Sequence, residues 1–322
     1  MVVATVVGGC ATAPPPQTPE IIGPSDLEFP SDPSQPVPTP APGSSTVAPL
    51  GVDPWAAPFL SRPASVPIYR KGNCDGIVIQ GLTFQDLGPD VEAIRLDKCN
   101  GVTIRGNDFA RVAQAITILD STNVKIEWNR YQDILGPHDR DPSKHRANFV
   151  QLVNVQGGLI RQNKGKGGDT EDIISLFKSG GTAEDPLVVE DNHFQGTDWV
   201  SDSSSGIALG DSTSSHSIAR NNILLNPGQA GIFIAGGTDH QILGNIIYGE
   251  QRPASNVGVY VWNQYEDRPC SDNVVRDNQV FWLKADGTEN PRWDAGNCGQ
   301  IDGWPDNDWH AKLDPAALEV VL

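Results

Sequence analysis

The chain has 322 residues, 23 basic against 40 acidic and a formal net charge of -17. Residues 1–63 hold one basic and five acidic groups, so the remainder carries 22 against 35, or -13, and the acidity belongs to the folding part. That balance argues against nucleic acid and against an anionic membrane surface as partners.

The chain opens on "MVVATVVGGC", a short apolar run closing in small residues and a cysteine. It resembles the end of a bacterial lipoprotein signal, with Val7-Gly8-Gly9 before a lipid-bearing Cys10. Fifteen of the 26 prolines follow within Pro14–Pro63. A Pro/Ser/Thr segment of this kind buries too little apolar surface to fold, so residues 11–63 read as an extended stalk. The expected order is an anchor, a stalk, and then a domain over residues 64–322 at the cell surface or in the periplasm. Any membrane contact would run through the lipid alone.

From residue 73 a short motif recurs: IQGLTF, IRGNDF, IEWNRY, IRQNKG, VEDNHF, IARNNI, ILGNII and VRDNQV. Its fourth place is Asn107, Asn129, Asn163, Asn192, Asn221, Asn245 and Asn278 in all but the first copy. The tightest intervals are 22 and 24 residues. A second short apolar segment precedes each later copy: EAIRLD, QAITIL, NFVQLV, EDIISLF, SGIALG, AGIFIA and VGVYVW. Short β-branched strands in that period, with Gly and Asn at the corners, predict an all-β fold. It is a right-handed parallel β-helix of about eight coils over 73–283, closed by a tail over 284–322. Asparagine suits the corner because it tolerates left-handed backbone and can ladder with its copy one coil away.

In the second segment the alternation turns Ile94 and Leu96 inward and Arg95 outward. The same reading places Thr117, Gln151, Ser175, Ala208, Phe233 and Tyr260 on one outer ladder, at the coil spacing of about 4.8 Å. Sugar residues of a chain repeat on a comparable scale, so the expected partner is an extracellular polysaccharide. Cys74 and Cys99 hold matching places in consecutive repeats and are expected to bond, as are Cys270 and Cys298, which flank the last repeat.

Chemistry is expected around Lys166–Gly181, where Asp169, Glu171 and Asp172 precede an apolar strand ending at Lys178. The long insertion 135–148 leads into the neighbouring strand and carries His138, Lys144, His145 and Arg146. Basic groups facing carboxylates beside a groove suit proton abstraction next to a uronate carboxylate. Here His138 or His145 is the base, and Arg146 or Lys144 neutralises the substrate. The acids orient the base or hold a cation, for which Ca²⁺ is the chemically matched ion. Arg95, Gln151, Ser175, Lys178, Trp199, Tyr260 and Trp262 are the expected substrate contacts, with Tyr265 beside them.

The whole arrangement resembles the pectin-lyase-like right-handed β-helix superfamily of polysaccharide lyases, polygalacturonase-type hydrolases and alginate epimerases. Glu171-Asp172-Ile173-Ile174-Ser175 is similar to the catalytic Asp-Asp coil of the hydrolases. Their Gly-His-Gly and Arg-Ile-Lys are replaced by Ser205-Gly206-Ile207 and Gly231-Ile232-Phe233. Gly136-Pro137-His138-Asp139 looks like the Asp-Pro-His-Asp motif of the epimerases. The resemblance implies lyase or epimerase chemistry on a uronic-acid polymer, ahead of inverting hydrolysis by Glu171 and Asp172. A surface module that binds glycan or builds the envelope, without catalysis, is the rival class.

Overall fold

The computed structural model describes residues 21–22, 66–88, 91–136, 147–196, 205–212, 214–265 and 267–322. Cys10, His138, Lys144, His145, Arg146 and Trp199 lie outside the described residues.

Among the described residues the chain winds as a right-handed parallel β-helix with three long sheets, beside one short two-stranded pairing. Sheet 1 has nine strands, from Ile21–Ile22 and Val78–Gln80 to Val274–Arg276. Sheet 2 has eight, from Thr83–Gln85 to Gln279–Trp282. Sheet 3 has nine, from Ile68–Lys71 and Glu92–Asp97 to Arg292–Asp294. Every pairing between these strands is parallel and joins neighbouring coils, so identical positions of successive coils stack.

That stacking explains the composition of the core. Sheet 1 contributes a column of Ile79, Ile104, Ile126, Ile160, Val189, Ala219, Ile242 and Val275, all fully buried. Sheet 2 contributes Phe84, Phe109, Tyr131, Phe194 and Leu224, with Gly165 between Tyr131 and Phe194. The Tyr131 ring occupies the space a Gly165 side chain would fill, so only glycine fits there. Phe149 of sheet 3 meets the same cluster, 4.9 Å from Tyr131 and 5.8 Å from Phe194 between ring centroids.

The corner between sheets 1 and 2 carries a buried asparagine ladder. Asn163 Nδ2 donates to Asn192 Oδ1 at 2.9 Å and to Ile126 O at 2.9 Å, while its Oδ1 accepts from the Asn129 amide N at 2.9 Å. The same pattern links Asn107, Asn129, Asn163, Asn192, Asn222, Asn245, Asn278 and Asn307. One rung corrects the repeat alignment. Asn222, not Asn221, lies on the ladder, and Asn221 takes the left-handed position before it with φ 54°. Gly106 and Gly244 hold that place in other coils with φ 59° and 61°. Asparagine suits either place, so the doubled Asn concealed a shift of one residue.

At both ends strand pairing runs past the expected coil range of 73–283. Ile21–Ile22, inside the segment expected to be stalk, pairs with Val78 and Ile79 and adds a rung at the edge of sheet 1. Past Leu283 the tail winds on rather than merely covering the end. Arg292–Asp294 extends sheet 3, parallel bridges join Val274 to Asp302 and Gln279 to Asp308, and Asn307 closes the ladder. The last residues then run back along sheet 2, where Leu318 O meets His193 Nε2 at 2.8 Å and Val320 N donates to Gln195 at 2.9 Å. Disulfides join Cys74 to Cys99, with Cα atoms 5.2 Å apart, and Cys270 to Cys298, at 4.4 Å. The first ties two consecutive coils and the second ties the last coil to the tail.

Candidate functional site on the outer face of sheet 3

One file of outward residues runs the length of sheet 3. In register it reads Tyr69, Arg95, Thr117, Gln151, Ser175, Ala208, Phe233, Tyr260 and Trp293. Nine rungs at the coil spacing make a track of about 38 Å.

A second, polar file lies beside it: Glu92, Gln114, Asn148, Asp172 and Ser205. Strict alternation would turn these residues inward. The strand bends instead, and two successive residues enter the core in each coil: Ala93 with Ile94, Phe149 with Val150, and Ile173 with Ile174. The polar residue before each pair is thereby turned to the outer face, as its contacts show. Arg95 Nη1 donates to both Glu92 carboxylate oxygens, at 2.9 and 3.1 Å. Gln114 Nε2 donates to Gln151 Oε1 at 3.2 Å and also to the Thr117 hydroxyl. The Ser205 hydroxyl donates to Asp172, and Asn148 Nδ2 donates to the Asp172 carbonyl at 2.8 Å. Gln114 Oε1 and Asn148 Oδ1 are buried acceptors with no partner among the described residues.

The three acids are not one cluster. Lys164–Gly168 closes a strand of sheet 2 and Asp172 opens a strand of sheet 3. Asp169 and Glu171 therefore sit in the turn between them, with Asp169 exposed and Thr170 buried. The turn is pinned through backbone: Asp169 N donates to Ile134 O at 2.8 Å, Glu171 N to Ala147 O at 2.8 Å, and Ser205 N to Glu171 O at 2.7 Å. The Gly167-Gly168 backbone turns ahead of them, with φ 83° and 99°. Among the described residues no three His, Cys, Asp or Glu side chains converge to hold a metal ion, so this turn does not supply the expected Ca²⁺ site.

The other expected contacts divide. Gln151 and Ser175 stand on the outer file. Arg95 stands there too, but it is committed to Glu92 and lies three rungs from Ser175. Lys178 is exposed past the strand end, with its ammonium 5.0 Å from the Phe177 ring centroid. Tyr260 and Trp262 belong to an aromatic surface that was only partly foreseen. Phe233 stacks on Tyr260 at 4.6 Å and 4°. Trp293 lies 6.2 Å from Tyr260 and 5.9 Å from Trp262. Trp262 and Trp293 remain 40% and 45% exposed, large areas for apolar rings. At its rim the Tyr265 hydroxyl donates to Asp211, and Arg268 lies 5.2 Å from the Tyr265 ring centroid. Burial and that bond to Asp211 push the Tyr265 phenol up to about 12, against the opposing charge of Arg268. The Tyr260 phenol is raised as well, by burial first and then by Asp172 and Asp211.

Glu92, Gln114, Asn148, Ser205 and Trp293 were not foreseen on this face. The signal for the first four was the doubled inward pair that follows each of them. Trp293 lies in a strand of three residues, too short for alternation to register.

A family model described as periplasmic copper-binding protein (NosD) matches residues 77–297. The crystal structure of PfbA, a surface adhesin of Streptococcus pneumoniae, is similar at 13% identity and a TM-score of 0.33. That match covers 70% of this chain and 65% of the other, just under two thirds of its length. No curated protein matches the chain.

Proposed function

We propose, from the premise that this chain belongs to the NosD family of periplasmic copper-binding proteins, that it is an extracytoplasmic β-helix that binds an extended polysaccharide without cleaving it. The family description and the two disulfides support a location outside the cytoplasm, where disulfides persist. A lipid anchor at Cys10 belongs to the same proposal.

The family description names copper, an ion that takes imidazole, thiolate and thioether ligands. The described residues do not fit it. Cys74, Cys99, Cys270 and Cys298 are all in disulfides. His240 is buried with both ring nitrogens on backbone, Nδ1 accepting from Ser217 N at 3.1 Å and Nε2 meeting Ser214 O at 3.2 Å. His193 is turned to Leu318 O. His216 lies 3.9 Å from Asp239, His310 lies 2.7 Å from Glu289, and no three donors gather.

The observation that carries the proposal is the outer file of sheet 3, where Tyr69, Arg95, Gln151, Phe233, Tyr260 and Trp293 keep exposed surface and Thr117, Ser175 and Ala208 lie buried between them. The exposed rings of Trp262 and Trp293 offer apolar surface to sugars, with the stacked Phe233 and Tyr260 supporting them, while the half-buried amide of Gln151 can meet sugar hydroxyls. The lyase or epimerase chemistry expected from sequence gains no support from the family. Inverting hydrolysis by Glu171 and Asp172 gains no support from the family either.

The test is native electrophoresis of the full chain in gels carrying a panel of neutral and uronate polysaccharides, with product assays in parallel. Retardation by at least one polymer, lost in a Trp262→Ala/Trp293→Ala variant and with no new reducing ends or unsaturated sugars, is expected. Product formation, or free migration in every gel, refutes the proposal.

A further inference from the structure

The corner between sheets 3 and 1 holds an open surface groove of about 350 Å³, apart from the outer file, lined by exposed side chains and within the size range of small-ligand sites. Four successive coils build it. Asn100, Asn123 and Gln156 come from three of them, and Gly181, Thr182 and Asp185 of the fourth border it. Two side-chain oxygens lie beside Gly157: a Cβ there would meet Asp185 Oδ2 at 2.5 Å and Asn123 Oδ1 at 3.3 Å. Gly157 has φ 67°, a conformation that favours glycine, and the missing side chain lets both oxygens approach.

Both oxygens are held in place. Thr182 N donates to Asp185 O at 3.0 Å, and Asp185 N donates to Thr182 Oγ1 at 3.1 Å, which locks the turn that presents the carboxylate. Asn123 Nδ2 is used by Asn100 Oδ1 at 2.9 Å, which leaves Asn123 Oδ1 facing the groove as an acceptor. Asn100 Oδ1 also accepts from Thr122 Oγ1 at 2.7 Å, so this asparagine serves as support. Gln156 adds an exposed amide, able to donate and accept.

We propose that this corner is a second binding site, for the hydroxyl groups of a single neutral sugar residue. The lining is polar with no aromatic ring, and Asp185 is its one charged group. A uronate or phosphate would meet that carboxylate with no cation in the lining to receive it. A hard divalent cation wants six or more oxygens, mostly carboxylate, and one carboxylate does not supply them. Adjacent hydroxyls, in contrast, donate to Asp185 and Asn123 together and accept from Gln156. The site stands independently of polymer binding on sheet 3.

The test is an NMR titration of the isotopically labelled full chain with methyl glycosides of glucose, galactose and mannose, with glucuronate, and with Ca²⁺ alone. At least one neutral glycoside is expected to shift the backbone amides of Gln156, Gly157, Gly181 and Thr182. Those shifts are expected to persist in Trp262→Ala/Trp293→Ala. Loss of one charge-assisted hydrogen bond should weaken binding about tenfold or more in Asp185→Ala. Gln156→Ala is the second variant, and it too should weaken binding. No shift at these amides with any neutral glycoside, equal or stronger shifts with glucuronate or Ca²⁺, or unchanged affinity in both variants would overturn the site. Polymer retention without these shifts refutes only the corner site; the shifts without polymer retention refute only the reading of sheet 3.

Discussion

Truncating the asparagine ladder at its centre should cost far more than truncating it at its end. Asn163 is fully buried and its side chain makes five hydrogen bonds. In Asn163→Ala some partners keep a second contact: Asn129 Nδ2 retains Ile104 O, and Asn192 Oδ1 retains the backbone N of residue 163. The Asn129 backbone N–H loses its side-chain acceptor in a buried corner, and Ile126 O loses a donor. At about 1–3 kcal/mol for an orphaned buried group, the expected loss is about 2–4 kcal/mol. Asn307, at the end of the ladder, also makes five side-chain hydrogen bonds, but it is only half-buried and water can replace those lost, so Asn307→Ala should cost less, about 1 kcal/mol. Urea denaturation followed by circular dichroism measures both. A loss below about 0.5 kcal/mol for Asn163→Ala, or equal losses at the two positions, would refute the reasoning.

His240 predicts an acid-sensitive fold. Burial lowers its pKa to about 4 from 6.5, so the folded protein holds it neutral while the unfolded chain protonates. The stabilisation is complete above about pH 6.5 and is lost as pH falls toward 4. It amounts to about 3 kcal/mol, and His240→Gln should flatten the stability profile in that window. The Cys74–Cys99 bond closes a sequence separation of 25, so a Cys74→Ala/Cys99→Ala variant should lose about 3 kcal/mol in the same urea assay. Trp293 is nearly half exposed on a terminal strand, so Trp293→Ala should change stability by about 1 kcal/mol or less while weakening polymer binding about tenfold in affinity gels.

The fold was legible because stacked coils repeat their chemistry. The inward Ile, Val and Leu of each strand, and the Asn at each corner, recur at positions that local pattern alone can find. What escaped was whatever breaks the pattern locally. The doubled Asn221-Asn222 offered two residues of the same corner chemistry, and only the ladder chooses between them. The bend before Ile94, Val150 and Ile174 sends two neighbours inward, a departure from strict alternation that leaves Glu92, Gln114 and Asn148 on the outer side. Phe149 could have shown this, since a Phe next to an inward Val requires room that only a bend provides. The acid run read as one site because Asp169, Glu171 and Asp172 are adjacent in sequence. Gly167 and Gly168 turn the chain there, and only Asp172 reaches the outer face. Trp293 and Asn307 escaped because their segments are short and lie past the last recognisable repeat. The groove beside Gly157 joins four coils and has no local signature at all.

The central claim is that the outer face of sheet 3 receives an extended glycan. Isothermal titration of the full chain with an oligosaccharide length series, prepared from the polymer that retards it, tests this most directly. A track of about 38 Å predicts affinity that climbs with each added sugar to about eight residues and then levels off. The Trp262→Ala/Trp293→Ala variant should lose the contribution of the aromatic end. Affinity already complete at a monosaccharide or disaccharide, indifference to the two tryptophans, or shortening of the ligand during the titration would contradict the account.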